Sequence, residues 1–309
     1  MPSSQPQITI VVPVHNRKEL VKQTLQSIEA QTLRPLAVVL IDNNSTDGTI
    51  DTLQQWRNQV SAPDFIVEIL SETKPGAAAA RNRGLSVVTT PYTMFFDSDD
   101  LMAPGHVQRA VEALSNTDTP TIVGWDIKIT TTTGSTFIKP FYATDAMWHC
   151  IMHGSMATQR YAAHTTLFRR AGAWNAEIMG WNDIELGARL LTLHPQLLKL
   201  HGEPTVEVRQ QRESITGIDF SSTAAKWERA LQAIQQTVTT RRHKRYVDLR
   251  RALLSGNYAA EGNNAEASRL LTAVVTAEPC PFYRLLYRFA HTYTAHHGRA
   301  GARLLRPFF

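Results

Sequence analysis

Cysteine is nearly absent: Cys150 and Cys280 are the two in a chain of 309 residues. They lie far apart and neither has zinc-site spacing. That excludes a disulfide-built framework and a cysteine zinc module, and a reducing, cytoplasmic setting is the simplest expectation. No run of about 18 apolar residues occurs, so no membrane-spanning helix is expected. The first residues, Met1-Pro2-Ser3-Ser4-Gln5-Pro6-Gln7, lack a basic segment followed by an apolar one, so no signal peptide is expected. Gly-x-Gly-x-x-Gly is missing after the first apolar run, which argues against a dinucleotide-binding dehydrogenase. No recognised nucleic-acid module accompanies the basic residues, so no nucleic-acid partner is expected.

Charge is present but uneven. The net charge is +5. From Arg241 onward there are 12 Lys and Arg against 4 Asp and Glu, so the preceding part is slightly acidic. The basic character belongs to the C-terminal part, where local charge sets attraction to partners.

The first half alternates short β-branched runs with helical patterns. Strands are predicted at 8–14, 36–41, 65–70 and 92–96, with helices at 18–30, 50–56, 76–87 and 104–114. That order implies α/β architecture with parallel strands and right-handed crossovers. After Pro120 the pattern changes. Strands are predicted at 121–125, 126–139 with a turn at Gly134, 164–169 and 205–209, and helices at 145–153 and 183–193. From Ser221 onward only helices are expected.

Three of the early strands end in polar clusters. The first runs into Pro13-Val14-His15-Asn16-Arg17, the second into Asp42-Asn43-Asn44-Ser45-Thr46-Asp47-Gly48 and the fourth into Asp97-Ser98-Asp99-Asp100. Open α/β sheets bind ligands at the carboxyl edge, so these clusters predict one site. Carboxylates there suggest a divalent cation, and a cation suggests a phosphate-bearing substrate. Each cluster alone is equally readable as a turn, because Asn, Asp and Ser bond their own backbone.

Together with Gly76, Ala80-Arg81-Asn82-Arg83-Gly84, Phe168-Arg169-Arg170 and Trp181-Asn182-Asp183-Ile184-Glu185-Leu186-Gly187-Ala188-Arg189-Leu190, these motifs resemble family 2 glycosyltransferases. The resemblance runs over roughly residues 7–216. It implies the A-type glycosyltransferase fold, a nucleotide-binding parallel or mixed sheet flanked by helices. An α-helical C-terminal extension is added to it. The implied domains are 1–220, divided into a nucleotide-sugar half at 7–118 and an acceptor half at 119–220, and an extension at 221–309.

The resemblance also implies an activity: inverting transfer of a sugar from a nucleotide diphosphate sugar to an acceptor hydroxyl, in surface glycan or glycoconjugate synthesis. Mn²⁺ or Mg²⁺ would offset the charge of the leaving diphosphate. Asp97 and Asp99 match the Asp-x-Asp motif. Asp99 is the expected direct metal ligand, and Asp97 a second ligand or a partner of the ribose or a water of the metal's shell. Asp100 is an alternative helix cap. Pro13, His15, Asn16, Arg17, Asp42, Asn43, Arg81 and Ser98 match donor-lining positions. His15 is expected to stack on the base, Asn43 to bond its edge, and Arg81 to lie near base and diphosphate or else in a surface ion pair. Asp183 matches the catalytic base, with a helix-capping role as the other reading. Trp181 is expected to offer an apolar face to a sugar, and Glu185 to pair with Arg189.

Two positions depart from the pattern. Asn182 stands where Glu is usual, and Gln211 where a metal-completing His is common. Either Asp99 with diphosphate and water suffices or His201 substitutes, and Arg209 and Arg212 are candidates for neutralising the leaving group. These departures keep a second reading open, a catalytically inactive sugar-nucleotide-binding or scaffold protein; Asp97, Asp99 and Asp183 oppose it. The acceptor is a glycan, a lipid-linked group or a small molecule. The arginines and aromatics of 241–309 either pack and solvate a helical subdomain or dock it peripherally on the inner face of a cytoplasmic membrane.

Overall fold

The computed structural model describes residues 5–60, 62–210, 219–298 and 301–309. The elements are, in order, β1 (Ile8–Val14), α1 (Leu20–Glu29), β2 (Leu36–Asp42), α2 (Thr49–Val60), β3 (Phe65–Ser71), α3 (Ala77–Val87), β4 (Tyr92–Phe95), β5 (Leu101–Met102), α4 (His106–Ser115), β6 (Thr121–Trp125), β7 (Ile127–Thr130) and β8 (Thr136–Lys139). There follow α5 (Ala146–His153), β9 (Tyr161–His164), α6 (Thr165–Arg170), α7 (Asn182–Thr192), β10 (Gln196–Leu200), β11 (Val206–Arg209), α8 (Ala224–Thr237), α9 (Arg241–Ala260), α10 (Asn264–Ala277), α11 (Pro281–Ala295) and α12 (Gly301–Leu305).

The chain divides into two compact units. The first comprises Met1–Thr144, Ser155–Met179 and Leu193–Glu213. A seven-stranded sheet runs through it in the order β10-β6-β9-β4-β1-β2-β3. β1 is buried at every position, because helices cover both faces of a parallel sheet and its strands become continuous apolar runs. β1, β2, β3 and β4 are mutually parallel, as the alternating pattern predicts. The order reverses between β1 and β4, the kind of switch at whose carboxyl ends open α/β sheets bind ligands. A second sheet, β5-β11-β7-β8, is built beside it from the same unit. Two glycines allow close packing. A Cβ on Gly84 of α3 would meet Val11 Cγ1 at 2.4 Å, and one on Gly124 of β6 would meet the Phe141 ring at 2.3 Å.

The sheet is mixed because β9 lies antiparallel to both β4 and β6. The strand predicted at 164–169 is a helix, α6, and the strand stands earlier, at Tyr161–His164. The chain turns at Thr165, whose N–H donates to the Pro91 carbonyl at 2.8 Å and whose hydroxyl donates to the Thr90 carbonyl at 2.8 Å. Phe168 then packs edge-on against Phe95 at 5.0 Å, so its burial comes from the helix rather than from a ladder. β10 and the two-residue β5 were not predicted.

The second unit comprises Asp145–Gly154, Gly180–Thr192 and Ser214–Phe309. Among its described residues it is helical throughout, from α5 and α7 to α8–α12. Trp148, Trp227, Tyr246, Tyr258 and Tyr287 are its large buried side chains. α9 is the central helix, with α8, α10, α11 and α5 packed on it. Thr240 caps α9 by accepting from His243 N–H, and Asn263 caps α10 by accepting from Glu266 N–H.

Candidate active site

The site is built from three strand ends of the first unit. Register places Val14 beside Asp42 and Val11 beside Phe95, so the segments after β1, β2 and β4 emerge along one edge. The first two segments are laced together. Asn16 N–H donates to Ser45 Oγ at 3.0 Å, and Thr46 N–H donates to Asn16 Oδ1 at 2.8 Å. Arg17 N–H donates to Thr49 Oγ1 at 3.0 Å. Asn16 holds φ 48°, a left-handed conformation that Asn tolerates better than most residues. Pro13 is buried within β1.

His15 is exposed, and its Nδ1–H donates to the Asn43 carbonyl at 2.6 Å. That bond fixes the ring at the mouth of the edge. Asp42 is buried, with Oδ2 accepting from Ser45 N–H at 3.3 Å and Oδ1 buried with no partner among the described residues. Asn43 is committed elsewhere than expected. Its amide nitrogen donates to the Glu72 and Lys74 carbonyls, each at 2.8 Å, and its oxygen accepts from Gly76 N–H at 2.8 Å. Both donors are spent on the segment joining β3 to α3. Asn43 therefore shapes that segment rather than reading a base edge with its side chain.

Arg81, on α3, is 5% exposed and reaches Asp97 Oδ1 at 2.7 Å. Its guanidinium lies over the Trp174 ring, 4.4 Å from the centroid. The ion pair is thus largely buried on the arginine side, which corrects the surface-pair reading. Its Nε and Nη1 are buried and have no partner among the described residues. Trp174 is held in turn by Asn82, whose amide donates to the Trp174 carbonyl and whose oxygen accepts from its N–H, both at 2.8 Å. Sequence reading missed Trp174, because the contact spans 92 residues and a lone tryptophan carries no motif.

The acidic segment concentrates three carboxylates in four residues. Burial raises the proton affinity of Asp99, and the neighbouring Asp97 charge raises it further, while Arg17 and Arg209 pull the other way. Burial, then Asp97 and Asp99, hold Asp100 well above the usual carboxylate range. Ser98 is buried between them in sequence. Asp100 caps no helix: β5 follows it, its Oδ1 accepts from Arg209 N–H at 3.1 Å, and its carbonyl accepts from the Thr24 hydroxyl at 2.9 Å. Arg209 is likewise engaged, donating from Nε and Nη2 to the Asp99 carbonyl at 3.2 and 3.1 Å and from Nη1 to Gln23. It clamps the acidic segment instead of standing free for a leaving group.

Among the described residues, no group of three or more His, Cys, Asp and Glu side chains is placed to hold a metal ion. His201 follows β10, the edge strand three places from β4, and its carbonyl accepts from Arg109 at 2.6 Å. It does not complete a set with Asp97 and Asp99. Gln211 and Arg212 lie outside the described residues. The donor set still suits a hard divalent cation. Among the described residues Asp99 takes no hydrogen bond from another residue's side chain, and a cation beside its buried carboxylate and Asp97 would favour the ionised form that burial, first, and the Asp97 charge disfavour.

Asp183 belongs to the second unit. It is half-buried at the start of α7, and its Oδ1 accepts from Ile184 N–H at 2.9 Å. Glu185 and Arg189 form the expected pair, with two bonds of 2.7 Å. Cys150 donates to the Ile184 carbonyl at 3.5 Å, and burial, with the Asp183 and Glu185 charges, pushes its thiol up, so it is unreactive. Trp181 is not an open sugar platform. It is 9% exposed, the Arg250 guanidinium stands 4.6 Å from its ring centroid, and Trp227 lies 4.9 Å away.

Several known proteins are similar. TuaG of Bacillus subtilis, named as a putative teichuronic acid biosynthesis glycosyltransferase, is 30% identical over 112 residues, 36% of this chain and 43% of TuaG. The chain spans about half the length of the curated relatives it matches. Among solved structures, S. aureus TarS 1-349 superposes with a TM-score of 0.69 at 15% identity, covering 98% of this chain and 92% of that 1-349 chain. The Pyrobaculum calidifontis mannosyltransferase PcManGT, solved with GDP-Man and Mn²⁺, superposes with a TM-score of 0.59 at 20% identity, covering 98% and 88%. The fold expected from the motifs, the A-type glycosyltransferase fold with a helical C-terminal extension, is the fold observed. Residues 9–170 match the model described as Glycosyl transferase family 2, about half of the chain, and the protein belongs to that family.

Proposed function

We propose that the protein is an inverting glycosyltransferase. With Mn²⁺ or Mg²⁺ at Asp99 and Asp97, it moves a hexosyl-type sugar from a nucleotide diphosphate sugar to an acceptor hydroxyl. The observation that carries this is the carboxylate pair after β4, where burial and mutual repulsion raise the proton affinity of Asp99 beside the switch of the sheet. TuaG's name supports a surface glycan or glycoconjugate as the product, and TarS having been solved with UDP-GlcNAc supports a nucleotide diphosphate sugar as the donor. The acceptor is then a glycan, a lipid-linked group or a small hydroxyl compound. Cytoplasmic work at the inner face of a membrane, reached through the basic C-terminal helices, is part of the same reading. No helix among the described residues is long and apolar enough to cross a membrane.

The roles follow from the contacts. His15, exposed with one nitrogen tied to Asn43, offers its ring face to the nucleobase. Asn16, Arg17, Asp42 and Ser98 line the donor around the laced segments. Asn43 and Pro13 keep those segments in shape. Arg81 has two nitrogens with no partner among the described residues, which suit a ribose or phosphate oxygen, while its third nitrogen holds Asp97 in place. A bound divalent cation would supply charge neutralisation for the departing diphosphate.

Asp183 is the proposed base, resting on its match to the family's catalytic position. The acceptor oxygen forms the new bond to C1 as the C1–phosphate bond breaks. The electron pair leaves with the nucleoside diphosphate, and Asp183 takes the hydroxyl proton. One displacement at C1 inverts the anomeric centre. Calorimetric titration of UDP and GDP, with and without Mn²⁺, tests the donor half of the reading. Mn²⁺-dependent binding to the wild type that disappears in Asp99→Ala is expected. Equal binding without metal, or in the variant, would remove the basis for it. Sugar transfer or donor hydrolysis then separates an enzyme from a binding protein.

A further inference from the structure

In α11, Phe282, Leu285 and Phe289 recur at i, i+3 and i+7, the spacing that lines one helix face. Leu286, Tyr287 and Ala290, on the other side, are buried. The first three, with Leu304 of α12 and Phe308 beyond it, are each between 47% and 64% exposed. Phe308 joins the α11 stripe through Phe282, ring centroids 6.0 Å apart. The helical unit therefore carries a connected apolar strip that its own core does not use.

The charge around the strip has one sign. The last acidic residue of the chain is Glu278, and five arginines follow it: Arg284, Arg288, Arg299, Arg303 and Arg306. Glu278 itself is spent within the unit, accepting from Arg245 at 3.0 Å. Arg288 and Arg303 are exposed and have no partner among the described residues. Arg306 reaches Asp145 at 3.3 Å, the one acid that this end of the chain pairs with. Half-exposed Phe and Leu side chains accompanied by the exposed, unpaired Arg288 and Arg303, in a stretch with no acidic side chain after Glu278, match the interface of an anionic bilayer. There apolar side chains enter the headgroup boundary, and each nearby arginine adds attraction.

We infer that Phe282, Leu285, Phe289, Leu304 and Phe308 form the face that seats this protein on an anionic lipid surface, with Arg288 and Arg303 contacting the headgroups. This rests on the peripheral membrane contact proposed above and names the surface that makes it. An acidic protein would satisfy the arginines but not the linear apolar strip, and a second copy of the chain would bring like charge against like charge.

Co-sedimentation of the full chain with vesicles decides the matter, using one part phosphatidylglycerol to two parts phosphatidylcholine against phosphatidylcholine alone, at low and high salt. Salt-sensitive binding to the anionic vesicles is expected. The variant carrying Phe282→Ser, Leu285→Ser and Phe289→Ser should lose at least about tenfold in partitioning. Arg288→Ala and Arg303→Ala should each lose about fivefold. Retained Mn²⁺-dependent UDP binding in all variants certifies their folds and tests the donor site separately. Absence of binding to anionic vesicles at low salt would overturn the membrane contact itself. Equal binding by the triple variant, or equal binding to both vesicle types, would overturn the assignment of this face. So would loss of self-association in the triple variant, which would give the face to a second copy.

Discussion

At the carboxyl edge of the sheet, arginines are spent on the protein. Arg81 lies between Asp97 and Trp174, and Arg209 is bonded to the Asp99 carbonyl and Gln23. In the segment after Glu278, Arg288 and Arg303 stand exposed beside exposed Phe and Leu. The same side chain serves as internal scaffold in one region and as available charge in the other. The difference comes from burial and from carboxylates: the edge has a surplus of acids held out of water, whereas the tail has none after Glu278. Count and sign of charge are therefore poor guides to which region meets a partner through its arginines. At the edge, the groups left for a ligand are acids and a few unpaired donors.

The largest test sets the helical unit against the edge as a source of chemistry. Asp183→Asn should cut sugar transfer by about 10²-fold or more while donor affinity stays within a factor of about two, the scale for a positioned base. Comparing transfer rates with donor titrations reads both quantities. Parental transfer, or a product of retained configuration, would return the chemistry to the edge alone. Next, Asp99→Ala should weaken Mn²⁺-dependent UDP binding at least about tenfold, while the thermal midpoint of the metal-free protein at neutral pH is no lower than the wild type's, because burial disfavours the ionised carboxylate that is removed. A smaller loss would mean that the acidic surplus is structural.

Third, Gly84→Ala should destabilise the first unit by about 1 to 3 kcal/mol, because its Cβ would press on Val11 and Ile41 beneath the edge. Urea unfolding followed by intrinsic fluorescence would show it. Unchanged stability would mean that β1 and β2 yield easily there. The smallest effect lies in the helical unit. Burial raises Asp248 to about 6, against partial relief from Arg251 at 3.6 Å and a further rise from Glu278. A carboxyl whose folded pKa is raised contributes stability that is present below its unfolded value and lost as pH rises through about 6. Asp248→Asn should therefore gain on the wild type between pH 4 and pH 7, by about 1 to 2 kcal/mol, the Arg251 attraction being already contained in the raised value. A difference that stays flat with pH would show that Asp248 is ordinary.

The strands at the edge were legible because each is an apolar, β-branched run that stops at a polar cluster, a pattern dictated by burial on both faces. Family membership was legible for the same reason: its motifs are the clusters. The 161–170 stretch was not. Tyr161-Ala162-Ala163 is a poor strand former and is one by virtue of lying between β4 and β6, while Thr165 to Phe168 look β-prone and form a helix under tertiary hydrogen bonds. β10 escaped because Gln196–Leu200 has its partner 75 residues earlier, in β6. Within the site, residue types were readable but commitments were not. Nothing in Asn43 or Arg209 announces that its side chain is already in use, since the partners are backbone groups far along the chain.

Asn43 also constrains how this chain can diverge. An Asn-to-Asp exchange is among the mildest in shape, and it preserves the acceptor for Gly76 N–H. Here it would turn two donors into a lone-pair-bearing oxygen set against the Glu72 and Lys74 carbonyls, leaving both unsatisfied and facing a negative charge. The acidic alternative at this position is thus closed unless the segment joining β3 to α3 is rebuilt at the same time.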